Sequence, residues 1–186
     1  MTAFKLFIGG PSQSGKSTTA QMVCDTLRCV HLNLDRDSEI IRIKQDLAGS
    51  ARSQPLKRRC RELISQVSES SVIEGSPLNP EDILEISNED NQFIGAFCGY
   101  PTVAPDKKLE QLEASGFRNA EHLRRCSEED RLARIKKYIR ASRILRDQCG
   151  DIGLPFFDYS DLSKLSLKQS DMVQYFQNKI TDVSKQ

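Results

Sequence analysis

The strongest constraint on the fold lies in residues 4–27, where three kinds of segment follow one another without a break. Residues 4–9 form a short apolar run that ends in glycine, which predicts a buried strand. Residues 10–15 begin and end with glycine and have no periodic pattern, which predicts a loop. Lys16–Leu27 is predicted to be a helix. A strand, a loop and a helix in this order predict the first βα unit of an α/β protein.

The same alternation continues along the chain. Further strands are predicted at residues 29–34, 71–74, 92–98 and 155–159. Helices are predicted at residues 38–47, 56–68, 80–86, 106–114, 127–149 and 165–180, and we expect Ser127 and Gly150 to cap the two ends of the longest one. Five strands that alternate with helices predict a mainly parallel sheet covered on both faces. Ligands of such sheets bind beyond the carboxyl ends of the strands.

Composition excludes several classes of protein. The chain has 186 residues, which suits one domain over residues 1–186, and its 38% hydrophobic and 28% charged residues are typical of a globular protein. A net charge of +1 predicts no binding to nucleic acid, and no apolar run is long enough to span a membrane. The N-terminus lacks a signal-peptide pattern. Six cysteines without a CxxC pair predict free thiols in a reducing cytoplasm.

The loop after the first strand carries the most specific motif. Residues 10–17, GPSQSGKS, match GxxxxGK(S/T) at every required position. Backbone amides of such a loop surround phosphate oxygens, the lysine bridges the β- and γ-phosphates, and the final hydroxyl binds Mg²⁺. The motif therefore predicts a nucleotide site at Gly10, Pro11, Ser12, Gln13, Ser14, Gly15, Lys16, Ser17 and Thr18.

With this loop, the chain resembles the small P-loop kinases of the nucleoside/nucleotide kinase-like group, which includes adenylate, shikimate, gluconate and uridine kinases and the zeta-toxin relatives. The resemblance covers nearly the whole length and is specific in the Walker A loop. It implies an α/β, three-layer P-loop NTPase fold with a five-stranded parallel sheet in the order 2-3-1-4-5. It also implies ATP and Mg²⁺ as donor and cofactor. An acceptor-binding segment is expected at about residues 38–70, and a short lid at about 116–131.

Two carboxylates follow the second predicted strand. Asp35 and Asp37 resemble the Asp-x-Asp of shikimate kinase-like enzymes, in which one carboxylate lies near Mg²⁺ and the other contacts the substrate hydroxyl. This resemblance makes Asp35 the candidate base or magnesium ligand, and Asp37 the candidate substrate contact. The alternative is that either residue caps the following helix.

The third predicted strand ends at Glu74 and Gly75, where a Walker B-like carboxylate would help to hold Mg²⁺ and contact the substrate. An alternative is an acid exposed to solvent at the end of the strand. The segment resembles Asp-Gly-Phe-Pro-Arg of adenylate kinases, but Glu74 replaces the aspartate and Leu78 stands in place of the arginine. Because that arginine holds a monophosphate, its absence favours a hydroxyl acceptor over a phosphate.

Basic residues in two segments are candidates for contacts with anions. An anionic acceptor would use one or two basic residues of the acceptor segment, with Arg42 as the selected candidate among Arg42, Arg52, Lys57, Arg58, Arg59 and Arg61. The basic run at residues 57–61 is also explained as a solvated helix face. Residues 118–146 hold ten Lys or Arg against four Asp or Glu. By resemblance to adenylate kinase-like lids, Arg125 and Arg134 are the candidates for catalytic phosphate contacts, with Arg124 and Arg131 as alternates. Lys136, Arg140 and Arg143 are expected to face solvent.

These features favour an ATP-dependent kinase that transfers the γ-phosphoryl group to a hydroxyl, or less readily a phosphate, of a small metabolite or nucleoside. The alternative is a nucleotide-binding ATPase or switch that acts through a protein partner. No NKxD motif for reading guanine is present.

Overall fold

A parallel sheet forms the centre of the computed structural model, which describes residues 3–37, 40–42, 54–116 and 121–183. The strands are β1 (Lys5–Gly9), β2 (Val30–Asn33), β3 (Ser71–Gly75), β4 (Phe93–Gly99) and β5 (Phe156–Asp158). Their order is β2-β3-β1-β4-β5, and every pairing is parallel. The predicted fold class and strand order are confirmed.

Helices connect the strands. They are α1 (Lys16–Leu27), α2 (Gln54–Gln66), α3 (Pro80–Glu89), α4 (Pro105–Ala114), α5 (Glu121–Arg124), α6 (Glu128–Ile152) and α7 (Leu165–Val183). Short 3-10 turns at Leu34–Arg36 and Leu162–Lys164 follow β2 and precede α7. Of the helix predicted at residues 38–47, residues 40–42 are helical and the rest lies outside the described residues.

The two faces of the sheet are covered by different helices because alternate side chains of each strand point to opposite sides. Leu6, Ile8 and Val72 pack with apolar residues of α1 and α7, and Phe7, Ile73 and Phe97 pack with α2 and α3. These strand residues are 0% exposed, and each contributes ~1.5–3 kcal/mol on burial. A third apolar cluster joins α4, α5 and α6 beyond the end of β4.

The longest helix has the predicted cap at its start but ends later than predicted. Ser127 caps α6, since its Oγ accepts a hydrogen bond from the amide of Asp130 at 3.2 Å. The predicted end at Gly150 is wrong: α6 continues to Ile152 and ends at Gly153, which has φ 73°. Gly150 has open space around its Cα and helical backbone, so one glycine in a helix does not by itself end it. The four-residue α5 was missed, because it is too short to show a periodic pattern.

The carboxyl ends of the strands meet along one edge of the sheet, as expected for parallel strands. The loop after β1, the turn after β2 and Gly75 at the end of β3 lie along this edge. Within the described ranges, no helix combines the length and the apolar character needed to cross a bilayer.

Candidate active site

The loop between β1 and α1 has the backbone of a phosphate-binding loop. Gly10, Gln13 and Gly15 have φ values of 155°, 62° and 86°. A Cβ on Gly10 would lie 2.4 Å from the carbonyl oxygen of Cys98, so this position needs glycine. No side chain caps the start of α1 among the described residues, and its first turn has no acidic residue. The first amides of α1 are therefore available to an anion.

Residues at the ends of β4 and β5 hold this loop and the start of α1 in place. The Tyr100 hydroxyl donates to the Ser12 carbonyl at 2.8 Å, and Cys98 Sγ lies 3.6 Å from Ser14 Oγ. Tyr159 Oη lies 3.3 Å from Thr19 Oγ1 in α1. The sequence analysis missed these contacts, whose signal is a polar aromatic residue directly after β4 and again after β5.

A cavity of about 750 Å³ opens over the loop, a volume within the range of small-molecule sites. Residues 12–18 line it on one side, which includes most of the predicted nucleotide-binding residues. The other sides are formed by the ends of β2 and β3, by one face of α4, and by the segment that joins β5 to α7. Leu112, Leu162 and Leu165 supply an apolar part of the wall.

Lys16 and Asp35, predicted from separate segments, lie together in this cavity. Lys16 Nζ is 3.4 Å from Asp35 Oδ2, and the lysine is 8% exposed. Asp35 Oδ1 accepts a hydrogen bond from the Ser76 hydroxyl at 2.8 Å, so the carboxylate is fixed between the ends of β1 and β3. Ser76 was not predicted. It follows Gly75, whose added Cβ would lie 2.9 Å from Leu34 Cβ, so glycine permits the close approach of β3 to the turn after β2.

Asp37 takes part in two interactions. Its Oδ1 accepts a hydrogen bond from the amide of Ile40 at 2.9 Å, which is the helix cap considered as an alternative. Its Oδ2 accepts from Arg59 Nη2 at 3.2 Å. Asp37 lines a second cavity of about 700 Å³, which also contains Ser17, Arg36 and Glu74. The cap therefore does not remove this carboxylate from a ligand-accessible surface.

Glu74 is fully buried, so the alternative of a solvated acid at the end of the strand is wrong. Its Oε1 accepts a hydrogen bond from Asn33 Nδ2 at 2.6 Å and lies 3.6 Å from His31 Nε2. Its Oε2 has no hydrogen-bond partner among the described residues. A buried carboxylate oxygen without a donor suits a cation or a bound water.

The residues present fit a magnesium ion held mainly by phosphates and water. Ser17 and Glu74 line the second cavity together, and Asp35 lies in the adjoining one. Within the described residues, no group of three or more His, Cys, Asp or Glu could hold a metal by itself. Mg²⁺ in phosphoryl-transfer sites usually takes one or two carboxylates with substrate phosphates, so it does not require such a group.

Two of the basic residues in the run on α2 form ion pairs with α3. Lys57 pairs with Asp82, and Arg61 pairs with Glu85 and Glu89, so both residues tie α2 to α3. Arg59 instead reaches Asp37. The predicted Arg42 is exposed, and in the described part of the chain it lines neither cavity.

The predicted lid arginines lie at the surface. Arg125 and Arg134 are exposed and line neither cavity in the parts of the chain that the structure describes. Arg131 has a structural contact, because its Nε and Nη2 donate to the carbonyls of Leu123 and Arg124 at 3.0 Å. Arg143, expected to face solvent, donates through Nε to the Pro101 carbonyl at 2.7 Å. Residues 117–120 of the predicted lid lie outside the described residues.

A lysine that the sequence analysis did not select lines the cavity over the loop. Lys108 on α4 is 6% exposed, and its Nζ lies 4.4 Å from the centre of the Tyr100 ring. The same ammonium donates to Gln111 Oε1 at 2.8 Å. Burial lowers the pKa of Lys108 to about 8.

Together, the fold and the geometry of the loop are those of a small α/β P-loop protein. No protein-family model matches the chain, and no curated protein matches it by sequence. Solved structures do match. A gluconokinase from Sinorhizobium meliloti 1021 superposes with a TM-score of 0.60 at 14% identity, over 96% of this chain and 95% of that chain.

Two further solved structures are similar. A shikimate kinase from Bacteroides thetaiotaomicron has a TM-score of 0.54 at 17% identity, over 96% of this chain and 98% of its own. A shikimate kinase from Acinetobacter baumannii in complex with shikimate has a TM-score of 0.50 at 18% identity, over 96% of both chains. The chain therefore has the fold of the small P-loop kinases, with no single enzyme established.

Proposed function

We propose that the protein is a kinase that uses ATP and magnesium to phosphorylate a hydroxyl group of a small metabolite or nucleoside. The observation that carries this proposal is the 3.4 Å approach of Lys16 Nζ, in the phosphate-binding loop, to the Asp35 carboxylate. A phosphate-binding cation and a proton acceptor at the same point are what transfer to a hydroxyl requires. The similarity to solved kinase structures agrees with this reaction class.

The donor half of the site would hold the triphosphate over the loop. Amides of residues 12–17 and the ammonium of Lys16 would surround the phosphates, and the apolar wall would receive the base. Ser17 and the Oε2 atom of Glu74, which has no hydrogen-bond partner among the described residues, are the groups that would hold magnesium, with Asp35 in the adjoining cavity. Bound magnesium would offset charge on the phosphate oxygens during transfer.

Asp35 would act as the general base. A triphosphate in the loop would compete with Asp35 for Lys16, and Asp35 Oδ2 would then accept the proton of the acceptor hydroxyl. The hydroxyl oxygen then forms a bond to the γ-phosphorus while the bond from that phosphorus to the β–γ bridging oxygen breaks. ADP leaves with the bridging oxygen. The hydrogen bond from Ser76 keeps the carboxylate oriented during this step.

The acceptor would lie beside Asp35, towards the second cavity. This region presents the Asp37 carboxylate, the Arg59 guanidinium and Arg36, which together suit an acceptor that carries hydroxyls and a negative charge. Leu78 is 3% exposed and packs in the core, so its position offers no cation to clamp a monophosphate. A hydroxyl acceptor is therefore favoured over a nucleoside monophosphate.

We also propose that the enzyme works in the cytoplasm. Its six cysteines are all free thiols, and Cys60, Cys98 and Cys149 are completely buried in the core. Unpaired thiols persist in reducing compartments.

The test measures release of ADP from ATP and Mg²⁺ with separate pools of nucleosides, nucleotides, sugars and hydroxy acids. We expect one hydroxyl-containing pool to stimulate ADP release, and Lys16→Ala to abolish the stimulated rate. Lys107→Ala, which removes an exposed lysine paired with Glu110, is the matched control and should keep the full rate. ATP binding without stimulation by any pool would contradict the small-molecule kinase and favour a switch that acts through a protein.

A further inference from the structure

One face of α4 forms a continuous wall of the nucleotide cavity. Lys108, Gln111, Leu112 and Ser115 all line it, and their spacing of three, four and seven residues places them on the same side of the helix. Leu112 lies further along α4 and Ser115 directly follows its last residue, and Leu162 and Leu165 line the same cavity with them. Lys108 lies one helical turn earlier.

Lys108 is close to the phosphate-binding loop through one tyrosine. The ammonium of Lys108 lies over the Tyr100 ring, 4.4 Å from the ring centre. The hydroxyl of the same ring donates a hydrogen bond to the Ser12 carbonyl at 2.8 Å. The lysine and the loop are thus two neighbours of a single, fully buried side chain. This places Lys108 at the phosphate end of the cavity.

Within the described residues, the positive charge of Lys108 is balanced by weak interactions and not by a carboxylate. An amide oxygen and an aromatic face are its partners, and within the described ranges no carboxylate forms an ion pair with it. The neighbouring Lys107, by contrast, is exposed and pairs with Glu110 at 3.0 Å. A buried ammonium normally has an anionic partner, because removal from water is costly. Since the cavity beside it is the phosphate site, an anion in that cavity would supply the missing partner.

We propose that Lys108 binds the phosphate chain of the donor nucleotide. On binding, its ammonium would leave the Tyr100 ring and Gln111 and contact phosphate oxygens. This inference rests on the proposed donor site. Lys108 is then a second lysine for the phosphates, brought from the opposite wall to Lys16.

A change in the protonation state of Lys108 on binding would be a measurable sign of this contact. With a pKa of about 8, the free side chain is partly neutral in mildly alkaline solution, and a bound polyanion would raise that pKa again. The other charged groups that line the cavity are Lys16, Asp35 and Arg36. Burial raises the pKa values of Tyr100 and Tyr159 and moves that of Cys98 to about 11, so these neighbours stay protonated below pH 9.

The experiment measures binding of ATP, of the tripolyphosphate anion and of adenosine by calorimetry at pH 8.5, in two buffers that differ in ionisation enthalpy. For the wild-type protein we expect ATP and tripolyphosphate to bind with net proton uptake. Lys108→Met should bind both at least tenfold more weakly and without that uptake, while its affinity for adenosine is unchanged. Lys107→Met should behave as wild type. Thermal unfolding of Lys108→Met and Lys108→Gln, measured without nucleotide, checks that both variants are folded.

The outcomes separate this inference from the proposed function. If wild type binds ATP, Lys16→Ala does not, and Lys108→Met binds tripolyphosphate as tightly as wild type, the role of Lys108 is refuted and the donor site stands. Equal weakening of adenosine and tripolyphosphate in both folded Lys108 variants would also refute it, because it would indicate a general loss of cavity shape. Absence of ATP binding by wild type would overturn the proposed function and this inference with it.

Discussion

The ammonium of Lys16 and the Oδ2 atom of Asp35 are 3.4 Å apart, although 19 positions separate the two residues in the sequence. Lys16 begins the helix after β1, and Asp35 lies in the turn after β2, which is separated from β1 in the sheet by β3. The hydrogen bond from Ser76, at the end of that intervening strand, completes the link. In the proposed function, this pair joins the phosphate-binding loop to the end of the sheet where the acceptor would approach.

Asp35→Asn should lower kcat by ~10² or more, because the amide cannot accept the proton of the acceptor hydroxyl. The Asn side chain can still accept the hydrogen bond from Ser76, so the fold should be kept. Steady-state kinetics with the acceptor found by the pool assay gives kcat, and thermal unfolding checks the fold. A normal kcat together with a lower Tm would show that Asp35 has a structural role instead.

Asp37 should show separable structural and binding roles. Asp37→Ala removes the acceptor for the Ile40 amide and should cost ~1 kcal/mol of stability. Asp37→Asn keeps a good capping side chain but loses the charge that faces Arg59. We expect it to retain stability and raise the KM for the acceptor several-fold. Denaturant unfolding and acceptor titration measure the two effects, and an unchanged KM in both variants would assign Asp37 to the cap alone.

Glu74→Gln should alter the dependence of activity on magnesium. The amide preserves the shape of the buried side chain and its contact with Asn33, but it removes the negative charge. We expect a higher magnesium concentration for half-maximal rate and little change in the affinity for ATP measured without magnesium. Removal of metal with a chelator should stop ADP release by wild type. The same magnesium dependence in both proteins would count against a metal-binding role.

The fold could be predicted largely because its signals are local. Apolar runs mark β1, β3 and β4 as buried strands, and the motif at residues 10–17 places a loop at the end of the first one. Alternation with helices then leaves few arrangements of a parallel sheet. Lys16 and Asp35 could be selected since each directly follows a recognisable element.

The parts of the site that could not be predicted arise from tertiary packing. Lys108 stands beside Lys107 in the sequence, yet the first is buried over Tyr100 and the second is exposed. No local pattern distinguishes them, because the difference comes from how α4 lies on the end of β4. The pairing of Asp37 with Arg59, 22 residues apart, has the same origin.

Arg125→Ala and Arg134→Ala should lower kcat with little effect on ATP affinity, if these arginines reach the phosphates during closure of the lid. Both are exposed and line neither cavity among the described residues, so any contribution would come in the transition state and not in the initial binding of ATP. Arg140→Ala, another exposed arginine on α6, is the matched control. Unchanged kcat in both variants would remove them from the catalytic mechanism.

Stability should fall as pH rises above 9, because burial raises the pKa of Cys98 to about 11 and that of Cys149 to about 12 from an ordinary value of 9.0. Between pH 9.0 and the raised pKa of each thiol, the unfolded chain releases the thiol proton and the folded chain keeps it. The stabilisation is therefore complete below pH 9 and is lost as pH rises, by ~1.4 kcal/mol per pH unit for each thiol. Cys149→Val should show a smaller loss between pH 9 and 11 in urea unfolding, compared with the partly exposed control Cys126→Val. Equal slopes for the two variants would refute a contribution from Cys149.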